Sequence, residues 1–585
     1  MNRGHVLTAA LVSSLCAVPL HGASRVGDPS AVGPVQDGDP STDASAAPLF
    51  RRTELRAGDV PVTTLCGSRE KNWIVEVNGG GVVLGDFDRS GSFDVVVISG
   101  STVERADAGE PGEPPRLLLN DGAANFRDAG EAWAMAPGRW GMGGAAGDVD
   151  GDGDLDLVVT EWGPDRLFLG ESGRGFRETT ATSGLEGRRW GTSAAFLDFD
   201  LDGNLDLVVV NYLAFRTDEI ASRETGECQW KGLPVMCGPE GLTAVHDQLY
   251  RGRGDGTFED VTVAAGFRPE SAAYGLGVMT LDYDRDGDTD VYVTNDSTPN
   301  HLWENQGDGT FREVGFRRGV DVDPNGKEQA GMGIACGDVN EDGLPDLLVT
   351  NFSGENNAFY QSRASKKDGA TRYSERSHAT GLGGPSLLTL GWGTGLVDLD
   401  LDGDLDAFVL NGHVYPQADS PGTDTTYAQP DHLYRNVGGR FETEPLDDGP
   451  DLVSRAGAFA DLDGDGDVDV VATRIDGPVH VLVNTSPPGR WIEVSVEAEG
   501  GNRDGIGARV ELQLGERTMV REIHTAGGFQ AAVPAVAHFG LGDVEKIDRV
   551  VVTMPDGRSA TVESPQIGRR CVVHVAARQG QEGDR

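Results

Sequence analysis

Along most of the chain one pattern recurs: a glycine-rich stretch, a turn crowded with aspartate, then four or five apolar residues. The apolar runs are VVVIS (95–99), LVVTE (157–161), LVVVN (207–211), VYVTN (291–295), LLVTN (347–351), AFVLN (407–411) and VVATR (470–474). Short runs rich in β-branched residues and bounded by turn formers predict strands rather than helices. Seven residues before each acidic turn lies a small residue: Gly79, Gly141, Gly191, Gly275, Gly331, Gly391 or Ser454. A small residue at one fixed point of a strand suggests crowding, as where strands converge on an axis.

A further element follows each apolar run. Phe126, Phe176, Phe258, Phe311, Tyr373 and Phe441 each open a predicted short strand behind a turn such as RGDGT. Each unit then supplies four antiparallel strands at a period of about 50–60 residues, which describes a propeller blade rather than a solenoid coil. The last unit lacks its aromatic strand, but FRRTELRAG (50–58) carries that pattern with no acidic turn before it. The N-terminal segment is therefore expected to complete the last blade and leave no open edge.

The acidic turns themselves are DFDRSGSFD (86–94), DVDGDGDLD (148–156), DFDLDGNLD (198–206), DYDRDGDTD (282–290), DVNEDGLPD (338–346), DLDLDGDLD (398–406) and DLDGDGDVD (461–469). Their odd positions are Asp86, Asp88, Ser90, Ser92 and Asp94; Asp148, Asp150, Asp152, Asp154 and Asp156; Asp198, Asp200, Asp202, Asn204 and Asp206. The later copies supply Asp282, Asp284, Asp286, Asp288 and Asp290; Asp338, Asn340, Asp342, Leu344 and Asp346. The last two supply Asp398, Asp400, Asp402, Asp404 and Asp406; Asp461, Asp463, Asp465, Asp467 and Asp469. Ionised carboxylates about 4 Å apart repel by roughly 4 kcal/mol at an effective dielectric of 20, so such packing needs a counter-charge. Side-chain oxygens at positions one, three, five and nine, a glycine at six and a backbone carbonyl at seven are hard-cation chemistry. Calcium fits better than magnesium or zinc, and up to seven ions are expected. An EF-hand would need a glutamate at position twelve, where this chain has Val159, Val209 or Val293 within strand-like runs.

Charge narrows the partners. Of 585 residues 94 are acidic and 49 basic, a formal −45, which repels nucleic acid and anionic membrane and attracts cations. The first residues carry a basic Arg3, an apolar run from Val6 to Leu20 and small residues at 21–24. They read as a signal peptide (1–24) followed by a disordered leader (25–47), implying a secreted or periplasmic protein without membrane insertion. With export, Cys228 and Cys237 in CQWKGLPVMC are expected to form a disulfide pinning an insertion at 212–247.

The acidic turns and aromatic strands resemble FG-GAP/VCBS repeats of integrin-α-type propellers. NRDGIGARVELQL (502–514) and AHFGLGDVEKIDRVVVTMPDGR (537–558) resemble the ASPIC/UnbV domain that follows such repeats in the cartilage acidic protein-like family. CGPEGL (237–242) and VNGGGVVLGDFD (77–88) match that family's pattern too. The expected fold is all-β: a seven-bladed propeller with calcium-binding inter-strand loops (48–486), a small antiparallel β domain (487–578) and a tail (579–585).

No catalytic constellation stands out: the histidines lack zinc spacing, and no nucleophile elbow or phosphate loop appears. Asn211, Asn295, Asn351 and Asn411 share one register, and Trp140, Trp190 and Tyr274 another. Either set could line a ligand face or serve strand-end bonding and packing between blades. The favoured reading is a monomeric, non-enzymatic calcium-stabilised scaffold that binds a protein or glycan. The alternatives are a calcium-dependent polysaccharide lyase and, from the resemblance, an accessory role in a biosynthetic pathway.

Overall fold

The computed structural model describes residues 48–577 except 186, 188 and 368; the segments expected to be a signal peptide (1–24), a leader (25–47) and a tail (579–585) lie outside the described residues. The fold is all-β. The unit pattern places strands Val82–Gly85, Asp94–Val97, Arg116–Asn120 and Phe126–Asp128 side by side in one antiparallel sheet. Five further units of four strands follow in sequence, led by Gly141–Gly147, Arg189–Leu197, Gly275–Leu281, Ile334–Gly337 and Gly391–Val397; the first two of these join into one eight-stranded sheet where Arg189 and Trp190 pair with Gly163 and Trp162. The next, Ser454–Ala460, Asp469–Arg474 and His480–Asn484, is completed from the other end of the chain by Phe50–Glu54, with Phe50 opposite Asn484. The leading strands pack each on the next, and Ser454–Ala460 packs back on Val82–Gly85.

Neighbouring sheets are stapled by side chains in repeated registers. Four residues after the closing aspartate, the hydroxyls of Thr160, Thr294, Thr350 and Thr473 donate to Thr192, Met332, Trp392 and Gly80 carbonyls, on or two residues before the adjacent leading strand, at 2.6–3.2 Å. In the third strands, the amides of Asn120, Asn305 and Asn484 reach Leu462, Phe199 and Leu399 carbonyls of another sheet, each at 2.8 Å. Each such bond is worth on the order of 1 kcal/mol, and their repetition ties each sheet to its neighbours.

The C-terminal region differs from expectation in one respect. Trp491–Ala498 pairs in parallel with Arg570–Val575, so the domain is mixed rather than purely antiparallel. The first and last strands of the domain lie side by side, and the whole domain is available as the crossover a parallel pair requires. Ala537–Gly540 joins them, and a second sheet of Arg509–Leu514, Arg517–Glu522, Arg549–Thr553 and Ser559–Glu563 packs over a shared apolar core. A smaller difference concerns Tyr373, which sits inside Thr371–Glu375 rather than opening it.

The segment GGFQAAVP (527–534) leaves this domain and enters the ring. Gly528–Phe529 pairs with Gly277 and Val278, while Ala531–Ala532 pairs in parallel with Val82 and Val83. Gln530 is fully buried: its amide donates to Ser193 Oγ (2.9 Å), and its carbonyl accepts from Val82 (3.1 Å). This explains a second small-residue register, two residues after the first. A Cβ on Gly81 would lie 2.5 Å from the Gln530 carbonyl oxygen, and one on Gly143 would lie 2.8 Å from the Gln530 Cα.

Candidate metal centres

Each acidic turn joins a sheet's first strand to its second, and all seven copies share one geometry. The glycine at position six has φ from +78° at Gly343 to +100° at Gly403, where a Cβ would strain the chain. Position four is also left-handed in every copy: Arg89, Leu201, Arg285, Glu341 and Leu401 have φ of +54° to +63°, beside Gly151 and Gly464. A non-glycine residue there costs roughly 1–2 kcal/mol. Sequence reasoning missed this constraint, although glycine at that position in two copies is its trace.

The aspartates divide their oxygens in the same way throughout. At position one, Asp86, Asp148, Asp198, Asp282, Asp338, Asp398 and Asp461 accept the position-six amide at 2.6–3.2 Å. At position five, Ser90, Asp152, Asp202, Asp286, Asp342, Asp402 and Asp465 accept the position-seven amide at 2.8–3.3 Å. At position nine, Asp94, Asp156, Asp206, Asp290, Asp346, Asp406 and Asp469 each take two amides. One comes from loop position two, at 2.8–3.2 Å. The other comes from the third strand, at 2.7–2.9 Å, given by Asn120, Gly170, Gly252, Asn305, Ser362, Asn436 and Asn484. Those donors stand directly opposite the aromatic residues of the outer strand, Phe126 through Phe50. The closing aspartate thus locks the loop to the whole sheet.

The remaining oxygens point to a cation. Oδ1 of Asp148, Asp198 and Asp398 at position one, and of Asp200, Asp284 and Asp463 at position three, are buried without a hydrogen-bond partner. In at least five copies the carboxylates of positions one, three and nine converge to within 4.8 Å: Asp86, Asp88 and Asp94; Asp148, Asp150 and Asp156; Asp198, Asp200 and Asp206; Asp282, Asp284 and Asp290; Asp398, Asp400 and Asp406. An all-oxygen donor set with orphaned buried carboxylate oxygens fits a hard divalent ion. The carboxylates of Asp152, Asp202, Asp286 and Asp402 at position five, and of Asp154, Asp288 and Asp404 at position seven, are not members of these five groups. Asp154 instead pairs with Arg89 at 2.8 Å. In the fifth loop Asn340 replaces the position-three carboxylate, and its Nδ2 donates to Asp342 at 3.2 Å.

Burial dominates the electrostatics. It pushes the carboxyls of Asp156, Asp406 and Asp469 up to about 8 and those of Asp94 and Asp346 to about 7, against the lowering effect of their amide bonds. Asp206 and Asp290 are likewise raised well above the usual carboxylate range by burial. Arginines answer part of this charge at position three: Arg251 pairs with Asp200 at 2.7 Å, Arg318 approaches Asp284 at 3.7 Å, and Arg435 pairs with Asp400.

The C-terminal domain lies across this loop-bearing face. Arg570 donates to the Gly91 carbonyl (3.3 Å), His538 Nε2 to that of Gly466 (2.8 Å), and the Gly542 amide to that of Leu401 (2.8 Å). Glu522 accepts the Asp282 amide at 3.1 and 3.2 Å, and Arg517 pairs with Glu341 in the fifth loop. The insertion at 212–247 leaves from the opposite end of the third sheet. It carries the Cys228–Cys237 disulfide and reaches across that face: Arg223 donates to Asn72 (3.0 Å), and Trp230 lies 4.8 Å from the His413 ring.

The two side-chain registers considered for ligand binding both make structural contacts, although Oδ1 of Asn211, Asn295, Asn351 and Asn411 is buried without a hydrogen-bond partner. Trp140, Trp190 and Tyr274 are buried in one apolar cluster. The Asn211, Asn295, Asn351 and Asn411 amides donate to carbonyls of His246, Pro299, Asn356 and Pro430, closing strand-end turns.

Comparison with known proteins agrees with this organisation. FG-GAP-like repeats match residues 86–159, 148–209, 241–293 and 282–349, and the ASPIC and UnbV family matches 498–580. Cartilage acidic protein 1 from Mus musculus is 27% identical over 315 residues, covering 52% of this chain and 45% of that protein. The Homo sapiens protein is 26% identical, covering 52% and 44%. The chain therefore matches less than half the length of these curated relatives. Among solved structures, the BP39L lectin from Burkholderia pseudomallei aligns at 14% identity and a TM-score of 0.43, covering 70% of this chain and 99% of the lectin. The chain carries FG-GAP-like repeats joined to a C-terminal ASPIC and UnbV domain, the architecture of cartilage acidic protein 1.

Proposed function

We propose that the protein is an exported, calcium-binding, seven-bladed propeller scaffold that mediates protein or glycan interaction or adhesion without catalysis, as a monomer. One observation carries this reading: backbone amides hold the loop aspartates in place while buried carboxylate oxygens at positions one and three lack any partner. Five of the seven loops thus present buried carboxylate oxygens that no hydrogen-bond donor reaches, at Asp148, Asp198 and Asp200, Asp284, Asp398 and Asp463. Calcium bound there rigidifies the loop-bearing face and the domain resting on it, and the opposite face, with the 212–247 insertion, presents the interaction surface. The disulfide in that insertion suits an oxidising compartment.

Ser353 and His413 are in contact at 3.1 Å but are not a nucleophile and its base. The Tyr415 amide donates to His413 Nδ1 at 3.0 Å, so Nε2 carries the proton and donates to Ser353. The pair cannot activate the hydroxyl as a nucleophile. A glycan and protein array probed with calcium and with EGTA tests the reading: a calcium-dependent ligand is expected. Turnover of a polysaccharide by the purified chain would overturn it.

A further inference from the structure

A cavity of about 380 Å³ lies where the C-terminal domain meets loops four to seven. The ring contributes Leu396 and Phe459 to its wall, and the C-terminal domain contributes Val536 and Met554. That is the size and mixed lining of a small-ligand site, typically about 300–1,000 Å³. Arg521 also lines it, and the chemistry turns on that residue. Its Nη1 donates to the Val520 carbonyl at 2.9 Å, and its guanidinium lies 5.3 Å from the Phe539 ring. Nε and Nη2 are buried and have no hydrogen-bond partner. These two nitrogens form one edge of the guanidinium, the side-on fork that matches a carboxylate with two parallel bonds. Leaving charged donors buried and unpaired is costly, so an unfilled fork beside a cavity marks a place for an anion.

The nearest acidic groups do not fill it. Asp338 and Asp398 act on Arg521 through space, but their hydrogen bonds go to the amides of Gly343 and Gly403. Glu522, next in the chain, is turned to the Asp282 amide. With divalent ions in loops four to seven, which this inference takes from the calcium reading, the loop carboxylates Asp338 and Asp398 are committed, Glu522 stays with the Asp282 amide, and the wall is cationic at Arg521.

We propose that this junction cavity binds a small organic carboxylate with an apolar body, the head paired with Arg521 Nε and Nη2 and the body against Leu396, Phe459, Val536 and Met554. The site would couple ligand binding to the seating of the C-terminal domain, because its walls come from both parts of the chain.

Fluorine NMR on the full chain in calcium tests this, with para-(trifluoromethyl)benzoate and the neutral para-(trifluoromethyl)benzamide as probes. Saturable one-site binding of the benzoate is expected, about tenfold or more tighter than the amide. Arg521→Met should erase that preference while leaving the weaker amide binding, and Val536→Trp, which fills the cavity, should abolish both. Thermal melts verify that each variant is folded, and if Val536→Trp is not, the Arg521→Met comparison decides. No saturable benzoate binding, equal affinity for both probes, or an unchanged preference in Arg521→Met would overturn the proposal. Calcium measured on the same sample separates the two readings. Calcium bound without carboxylate preference sinks this inference alone, whereas selective binding without calcium sinks the calcium scaffold alone.

Discussion

Phe529, from the C-terminal domain, lies against Trp392 of the ring, with ring centroids 4.9 Å apart and Phe529 wholly buried. Its cluster includes Trp140, Trp190, Met142 and Met332 from other sheets. One side chain from beyond residue 500 thus completes the packing among the ring's leading strands.

Truncating that side chain should therefore act on the whole molecule. Phe529→Ala is expected to cost about 3–5 kcal/mol, the usual price of removing a buried aromatic ring. Calorimetry should show one transition moving down. Two transitions, with only the smaller one moved, would contradict the interlocked arrangement.

The division of labour within a loop gives a second test. Asp156→Asn leaves one of two buried amides, from Val149 and Gly170, without its acceptor. It should destabilise the chain by about 1–3 kcal/mol with or without metal. Asp150→Asn should lower calcium affinity yet leave the melting of EGTA-treated protein unchanged or slightly higher, because repulsion is relieved. Equal effects of the two substitutions on the metal-free melt would refute the distinction.

A third test is pH. Asp156, Asp406 and Asp469 have carboxyls raised by burial to about 8 in the folded chain, against roughly 3.9 unfolded. Between those values the folded state holds protons that the unfolded state has released, so metal-free stability falls as pH rises. Burial lowers His301, His432 and His480 to about 4, which gives the opposite slope at lower pH. That slope fades above about pH 6.5, the ordinary histidine value. EGTA-treated protein should therefore melt lower at pH 8 than at pH 6.5, and calcium should remove or reverse the difference. A metal-free chain that melts higher at pH 8 would contradict this.

The N-terminal strand supplies a fourth. Phe50 is buried against Phe408, 5.8 Å between centroids, and Arg52 pairs with Asp447 at 2.7 Å. Deleting residues 48–60 removes no loop ligand but opens a sheet edge. The melting temperature should fall with calcium saturating, and an unchanged melt would show that this strand does not hold the seventh sheet.

Much of this was legible in the sequence because it is written locally. Loops such as DVDGDGDLD combine turn glycines and spaced carboxylates within nine residues, and the following apolar run is a strand in any surroundings. Even the distant pairing of Phe50 with Asn484 was readable, since a repeat with one missing strand must find it elsewhere. The plug was not. GGFQAAVP has neither period, and its meaning depends on Gly81, Gly143 and Gly277, hundreds of residues away. Likewise the third-strand donors, from Asn120 to Asn484, vary between Asn, Gly and Ser because their backbone amide does the work. The parallel pairing of Trp491–Ala498 with Arg570–Val575 leaves no local trace at all.

Calcium in the loops is the central proposal, and counting bound ions tests it most directly. Full-length protein equilibrated with calcium, desalted and analysed by elemental mass spectrometry should carry several calcium ions per chain, approaching one for each loop with the Asn340 loop the first to empty. Less than one ion per chain, in protein whose melt is indifferent to EGTA, would contradict it.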